Sequence, residues 1–111
     1  MKIFEFDSAV RGYHYYKQYW EPVENEELDC YHEANNAYDY FAIKTCSRES
    51  GTTVGHLPME IARATYFLLL RGAKIVVKLT ATHYRRSPLV QGGLEIPCSV
   101  SVDMLLTLKN K

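Results

Sequence analysis

The sequence predicts a mainly β fold with one helix, in which short strands curl into a small, partly open barrel. Short segments rich in β-branched and aromatic residues recur along the chain, with partial alternation of apolar and polar side chains. Stretches such as EPVEN, RESGTT and SPLVQGG supply turns between them. A single segment instead has near-helical apolar spacing. Short strands with one inserted helix favour an OB-like or SH3-like barrel over a parallel sheet.

Six segments are predicted as strands and one as a helix. The strands are KIFEF (2–6), AVRGYHYYKQYW (9–20), EELDCYHE (26–33), YFAIKTC (40–46), AKIVVKLTATHY (73–84) and LEIPCSVSV (94–102). The helix is PMEIARATYFLLLRG (58–72), about three turns long. Pro58 suits its first position, and Gly72 suits its C-terminal cap.

Length and composition indicate one ordinary globular domain. The chain has 111 residues, of which 47% are hydrophobic and 23% charged, so it can bury one real core. No apolar run approaches the roughly 20 residues that span a bilayer, and the N-terminus lacks the apolar region of a signal peptide. We therefore expect no membrane association and an intracellular location. The three cysteines, an odd number without regular spacing, are expected to be reduced thiols.

The charges are balanced overall but segregated along the chain. The net charge is zero, which excludes a diffuse basic coat for nucleic acid. Residues 21–33 carry only acids, whereas residues 61–94 carry only bases. This segregation predicts either one basic face or two solvated surfaces without a partner, and the charges alone favour neither.

Enzyme signatures are missing from the sequence. There is no Walker loop, no GxSxG and no HExxH. Cys30 and His32 are close in sequence, but zinc would need two more ligands from elsewhere, such as Cys46, Cys98 or His83. The acids of residues 21–33 are scattered rather than clustered as in a metal-dependent nuclease. We expect a protein that is not an enzyme and uses no cofactor.

Three motifs carry a resemblance to a known family. They are GYHYY (12–16), NNAYDYFAIK (35–44) and VGHLPMEIA (54–62). Their order and distances resemble the HIRAN domain, a module of helicase- and nuclease-associated proteins. The resemblance covers roughly residues 8–100, so residues 1–111 are expected to form a single HIRAN-like domain with its core at about 8–102.

The resemblance implies an OB-like fold that binds the 3′ end of single-stranded DNA. In the family, two aromatic rings sandwich the terminal base, and an Asp accepts a hydrogen bond from the free 3′-hydroxyl. The matching residues here are Tyr15, Tyr38 and Asp39. Other positions that match the family's pocket are Asn36 and His56, with Tyr16 at a neighbouring aromatic position.

Elementary chemistry makes this assignment intelligible. Every base has a π-face, so stacking on tyrosine tolerates any sequence and contributes ~1–3 kcal/mol per base. An ionised carboxylate is only an acceptor, so it accepts a hydrogen bond from a sugar hydroxyl but repels a phosphate at the same place. A Tyr-Asp pair such as Tyr38-Asp39 would therefore recognise a strand end rather than a sequence.

The same residues could instead have purely structural roles. Tyr38 could cap the core, and Asp39 could accept backbone N–H groups in an Asx-turn. On a strand, Tyr15 and Tyr16 would face opposite ways, so that at most one enters a given pocket. His56 could be a histidine satisfied at the end of a strand.

Two positions depart from the family at sites that would bind the phosphate backbone. The family's Arg before the paired aromatics is His14 here, and a basic residue early in the helix is Met59. Each lost phosphate contact should flatten the salt dependence of binding by ~0.7 in the log–log slope. Candidate replacements from the acid-poor parts of the chain are Arg11, Lys17, Arg63 and the pair Arg85 and Arg86.

The sequence thus predicts a non-catalytic module that captures free 3′-hydroxyl ends of single-stranded DNA. Its expected partners are such ends together with a helicase or nuclease, and its expected location is the nucleus in a eukaryote. The alternative is a small β-barrel protein-interaction module that has lost DNA binding and holds a peptide on its tyrosine-rich face or acidic loop. The choice between DNA and RNA is open, because no residue that excludes a 2′-hydroxyl can be identified.

Overall fold

The computed structural model describes residues 2–88 and 93–104, except for the side chains of residues 2 and 3. The elements in chain order are β1 (Lys2–Arg11), α1 (Tyr13–Tyr16), β2 (Glu27–His32), β3 (Ile43–Ser47), β4 (Thr53–His56), α2 (Met59–Leu70), β5 (Ala73–Leu79), β6 (Arg85–Arg86) and β7 (Leu94–Met104). Part of the predicted SPLVQGG turn lies outside the described residues.

In the described residues, six antiparallel strands form a ring in the order β1-β4-β3-β2-β5-β7, and β7 returns to β1. The β1–β7 ladder runs from Lys2 opposite Asp103 to Arg11 opposite Glu95. In contrast, β1 meets β4 at a single pair, Arg11 and His56. The barrel is therefore nearly open at that seam, and the predicted fold class of a small, partly open barrel is confirmed.

The barrel interior is filled by the inward-facing side chains of its strands. In β5, residues 73, 75, 77 and 79 are buried, while the residues between them are exposed or half-buried, as alternation along a half-buried strand requires. Fully buried members of this core include Val10, Leu28, Ile43, Ile75, Val77, Leu79, Ile96, Val100 and Val102. The three cysteines are buried and unpaired, as predicted.

Helix α2 is confirmed where the sequence predicts it. It buries Ala62 and Thr65 and packs further apolar side chains against the core. Gly72 follows the helix with a φ of 92°, and its N–H donates to Leu69 O at 3.0 Å, so it ends the helix as a left-handed cap. Neither described helix is long and apolar enough to cross a bilayer.

The predicted strand over residues 9–20 is wrong beyond Arg11. KIFEF and AVR belong to one long strand, β1, and the chain then turns at Gly12, whose φ is 90°. This left-handed conformation suits glycine, and it directs residues 13–16 into the single turn of α1. Trp20 fixes the exit from that turn, because its buried ring donates through Nε1 to Glu26 Oε2 at 3.2 Å.

Other strands also differ from the prediction, as the predicted strand over 40–46 begins only at Ile43 and β6 was not predicted. The predicted strand over 73–84 ends at Leu79, and β4 (Thr53–His56) was not among the predicted strands. With only four residues, β4 is too short to produce a clear alternation. Its pairing with β3 is what places the VGHL motif beside the open seam.

A buried hydroxyl in β3 provides the first testable prediction. Among the described residues, Thr45 Oγ1 is fully buried and has no hydrogen-bond partner. Replacing an unsatisfied buried hydroxyl with a methyl group removes a desolvation penalty, so we expect Thr45→Val to raise the unfolding free energy by about 1 kcal/mol. Urea denaturation measures this change.

The matched control is Thr65→Val in α2. Thr65 is also buried, but its Oγ1 donates to Ile61 O at 2.7 Å, so its loss should not stabilise the protein. Equal effects at the two positions would contradict the assignment of Thr45 as the unsatisfied group.

Candidate functional site

A groove of about 410 Å³ lies at the open seam between β1 and β4. Helix α1, the loop of residues 33–42, the end of β4 and the start of α2 contribute to it or border it. Its lining residues are Arg11, Gly12, Tyr15, Tyr16, Tyr38, His56, Leu57 and Met59. Two tyrosines of α1, one tyrosine of the loop and a histidine of β4 thus line one open groove.

Two of the tyrosine rings are unusually exposed. Tyr38 is 94% exposed and Tyr15 is 72% exposed. Tyr15 is supported on one side by His14, with ring centroids 4.2 Å apart. His14 is held in turn because its Nδ1 accepts the backbone N–H of Leu94 at 3.3 Å. The groove therefore presents flat apolar faces to solvent, the arrangement that stacks planar ligands.

The expectation that Tyr15 and Tyr16 face opposite sides is wrong, because both belong to α1 rather than to a strand. Both line the groove. Tyr16 is half-buried, and burial together with the nearby charge of Glu33 raises its pKa. Its hydroxyl accordingly stays protonated at neutral pH and can donate a hydrogen bond into the groove.

Asn36 organises the loop that carries Tyr38. Its Oδ1 accepts the backbone N–H groups of Tyr38 at 2.8 Å and Asp39 at 2.9 Å. Its Nδ2 donates to Glu33 Oε1 at 2.9 Å. This double side-chain bond fixes the backbone of residues 36–39 as an Asx-turn and so holds Tyr38 at the groove.

Asp39 lies next to Tyr38 and is half-buried, but it is not among the residues that line the groove. Its Oδ1 accepts the backbone N–H of Phe41 at 2.9 Å, an Asx-turn contact of the kind left open by the sequence. Among the described residues, Oδ2 receives no hydrogen bond. One oxygen is therefore structural, while the other is available as an acceptor.

Glu33 connects the loop to β4, a role that no sequence motif indicates. Nε2 of His56 lies 2.7 Å from Glu33 Oε1, the oxygen that also accepts from Asn36. Partial burial would raise the pKa of Glu33, but the hydrogen bonds from Asn36 and His56 and the positive charges nearby outweigh it, so the pKa is lowered. The ionised carboxylate thus orients both Asn36 and His56.

This lowered pKa predicts a pH-dependent contribution to stability. A carboxyl whose pKa in the folded protein is below the ordinary 4.5 contributes its full stabilisation at pH values above 4.5. This stabilisation is lost as the pH falls through the folded-state pKa. Glu33→Gln should cost about 1 kcal/mol at pH 7, because a neutral amide accepts the same bonds more weakly. The cost should be smaller at pH 3 than at pH 7, because the carboxyl takes up a proton as the pH falls.

Chemical denaturation of wild type and variant at both pH values measures this difference. Glu24→Gln, which makes the same charge change at an exposed position, is the control and should show no such pH-dependent cost. A cost for Glu33→Gln that is unchanged at pH 3 would contradict the role assigned to the carboxylate.

The candidate basic residues are dispersed around the molecule. Arg11 lines the groove, whereas Arg85 and Arg86 lie on β6 and are not among its lining residues. Arg63 lies over the rings of Phe41 and Phe67, at 5.4 and 5.9 Å from their centroids. At the groove itself, Met59 occupies the position at which the resemblance implies a basic residue, and it is 67% exposed.

The cysteines and acids form no metal site in the part of the chain that the structure describes. There, no three His, Cys, Asp or Glu side chains are grouped as a metal site. Burial raises the pKa of the Cys98 thiol to about 12, and burial likewise raises that of Cys30. Both thiols are protonated at neutral pH and are poor nucleophiles.

The fold and the groove define a small β-barrel module with an open aromatic site. The chain belongs to the HIRAN family, since the family model of the HIRAN domain matches residues 3–104. The recognition of this family from the three motifs is thereby confirmed.

Two solved structures are similar to this chain. The crystal structure of the HIRAN domain of human HLTF shares 24% identity and a TM-score of 0.71, covering 91% of this chain and 76% of that one. A protein from Lactobacillus plantarum shares 14% identity and a TM-score of 0.57, covering 90% and 99%. At these identities the likeness establishes the fold. A search of curated protein sequences gave no significant match.

Proposed function

We propose that this HIRAN domain captures free 3′-hydroxyl ends of single-stranded DNA. The observation that supports the proposal is the open groove that the exposed side chains of Tyr15 and Tyr38 both line. A terminal base stacks between these rings, and the sugar hydroxyl donates to the free oxygen of Asp39. Because stacking reads only the π-face, the module accepts any base.

The remaining groove residues support this role. Asn36 holds the backbone at Tyr38 and Asp39 through the hydrogen bonds described above. His56 and the Tyr16 hydroxyl orient the terminal sugar or its phosphate. Because the groove is open, the end of a DNA strand can enter it directly.

The module binds DNA without acting on it chemically. Burial keeps the thiols of Cys30 and Cys98 neutral, which is in keeping with a recognition role. We propose an intracellular, and in a eukaryote nuclear, location, with a helicase or nuclease as the partner that acts on the captured end.

Fluorescence polarisation with one short single-stranded DNA tests the proposal. The strand ends in either a 3′-hydroxyl or a 3′-phosphate, and wild-type protein should bind the hydroxyl form at least ten-fold more tightly. The physical reason is that a phosphate placed against the Asp39 carboxylate is repelled and cannot offer the same donor. Equal affinity for the two strands would indicate a general single-strand binder that does not recognise the 3′ end.

Asp39→Asn isolates the carboxylate from its structural role. Asparagine keeps an oxygen for the Phe41 N–H, so the loop and the melting temperature should be preserved. We expect the preference for the hydroxyl to fall by about ten-fold, since a hydrogen bond to a charged acceptor contributes ~1.5–3 kcal/mol. An unchanged preference in a folded variant would remove Asp39 from the binding site.

A protein-interaction role is the second candidate. It is favoured by an aromatic cluster between α2 and the loop, in which Tyr66 contacts His32, Tyr40, Phe41 and Phe67 at centroid distances of 4.6–5.8 Å. Tyr40 and Phe67 of this cluster are exposed. A protein with this role alone would bind neither DNA in the polarisation experiment.

A further inference from the structure

Four charged side chains form a continuous chain beside the groove. Arg11 donates two hydrogen bonds to Glu60, one from Nη1 to Oε1 at 2.7 Å and one from Nη2 to Oε2 at 3.2 Å. The Nε of Arg11 donates to Glu95 Oε1 at 3.3 Å. Glu95 Oε2 in turn accepts from Nε of Arg85 at 2.9 Å. Arg11 is the member of this chain that lines the groove.

The buried carboxylate of Glu95 fixes the position of Arg11. The Glu95 side chain is only 3% exposed, and it accepts one hydrogen bond from each of two guanidinium groups. A buried carboxylate is tolerated when it is paired in this way, and the pairing restricts the guanidinium that it holds. Because Nε is committed to Glu95, the two Nη atoms of Arg11 form a fork that faces Glu60.

This fork is the geometry that binds phosphate as well as carboxylate. A guanidinium offers two parallel N–H donors to either oxyanion. Glu60 is 47% exposed and lies in the first turn of α2, directly after Met59. An ion pair at this exposure contributes little, so a stronger oxyanion can replace the carboxylate.

Among the described residues, no side chain that lines the groove other than Arg11 carries a permanent positive charge. Of its lining residues, Arg11 alone is an arginine or lysine, and His56 is engaged by Glu33. Met59 supplies no charge at all. A nucleic acid strand entering this groove meets one fixed guanidinium, placed opposite His56 in the β1–β4 pair.

We propose that Arg11 binds a backbone phosphate of the strand whose end occupies the groove, and that Glu60 is an internal counter-ion which this phosphate displaces. The inference rests on the proposed function and adds two residues to it. Glu60 then weakens binding by occupying the fork, so its neutralisation increases affinity. Glu95 is a positioning residue, because its carboxylate holds the guanidinium of Arg11 in place.

A double-mutant cycle tests this arrangement with the 3′-hydroxyl strand as probe. Glu60→Gln should tighten binding about five-fold, as expected for release of an exposed competing carboxylate. Arg11→Gln should weaken binding about ten-fold and flatten the salt slope by ~0.7. In the Arg11→Gln background, Glu60→Gln should have no effect, because no fork remains to be released.

Glu49→Gln is the matched control for the general loss of a negative charge. Glu49 is exposed and lines a different groove, so its replacement should leave the affinity within two-fold of wild type. Far-UV circular dichroism and thermal melting confirm that each variant is folded. If Arg11→Gln is not folded, Arg11→Lys replaces it, and the expected gain from Glu60→Gln then falls below two-fold.

The outcomes separate this inference from the proposed function. A gain from Glu60→Gln that equals the gain from Glu49→Gln, or that persists without Arg11, would overturn the role of the pair while leaving end capture intact. Failure of both wild type and Glu60→Gln to bind the strand would overturn end capture and this inference together.

Discussion

Replacement of Gly55 with alanine is expected to destabilise the barrel by about 3 kcal/mol, at the upper end of the range for overpacking a core. Gly55 lies in β4 between β1 and β3. A Cβ at this position would overlap the Val10 side chain and lie 2.8 Å from the backbone oxygen of Arg11. Val10 is fully buried, so neither obstacle can move without a shift of β1.

Urea denaturation and thermal melting measure this loss. The melting temperature should fall by roughly 10 °C or more for a domain of this size. Gly51→Ala is the control, because nothing lies within 4 Å of the added Cβ and only the strain of a φ of 74° remains. That strain costs about 1 kcal/mol.

The double variant Val10→Ala/Gly55→Ala separates steric overlap from other effects. Removal of the Val10 methyl groups relieves one of the two contacts, so the combined loss should be smaller than the sum of the single losses. Additive losses would mean that the glycine is required for another reason. The glycine of the VGHL motif is therefore explained by close strand packing at the seam that borders the groove.

The second large effect is expected for Tyr38→Ala in DNA binding. The ring is 94% exposed, so its removal should leave the unfolding free energy unchanged within about 0.5 kcal/mol. Loss of one stacking partner should cost ~1–3 kcal/mol of binding, or roughly 5- to 150-fold in affinity. Fluorescence polarisation with the 3′-hydroxyl strand measures this change.

Two variants sharpen the interpretation of Tyr38→Ala. Tyr19→Ala removes a ring that is 82% exposed but lines other grooves, and it should leave the affinity unchanged. Tyr38→Phe keeps the ring and should bind within two-fold of wild type. Equal losses for Tyr38→Ala and Tyr19→Ala would mean that the strand does not bind in the groove between Tyr15 and Tyr38.

Most of the strands and the long helix could be predicted because their signals are local. The alternation in β5 and the apolar spacing and C-terminal glycine of α2 are properties of a few consecutive residues. The short helix α1 could not be predicted in this way. Its residues have the composition of a strand, and the turn depends on a left-handed Gly12 whose N–H is bonded to Leu94, far along the chain.

The candidate site was predictable in its residue types but not in its connections. The motif residues Tyr15, Tyr38 and His56 were identified from the sequence, and the structure places them in one groove. The supporting bonds of Glu33 to Asn36 and His56 were not, because a carboxylate at the end of a strand has no sequence signal that names its partners.

The sequence by itself determined the β-rich composition, the position of α2 and the aromatic and carboxylate groups available for binding. Only the tertiary structure decided which of them meet. Arg11 pairs with Glu60 and Glu95 across 49 and 84 positions of sequence, because the long β1–β7 ladder and the seam at β4 bring these segments together. Side-chain alternation and helix spacing act over a few residues, whereas this charge arrangement depends on how the barrel closes.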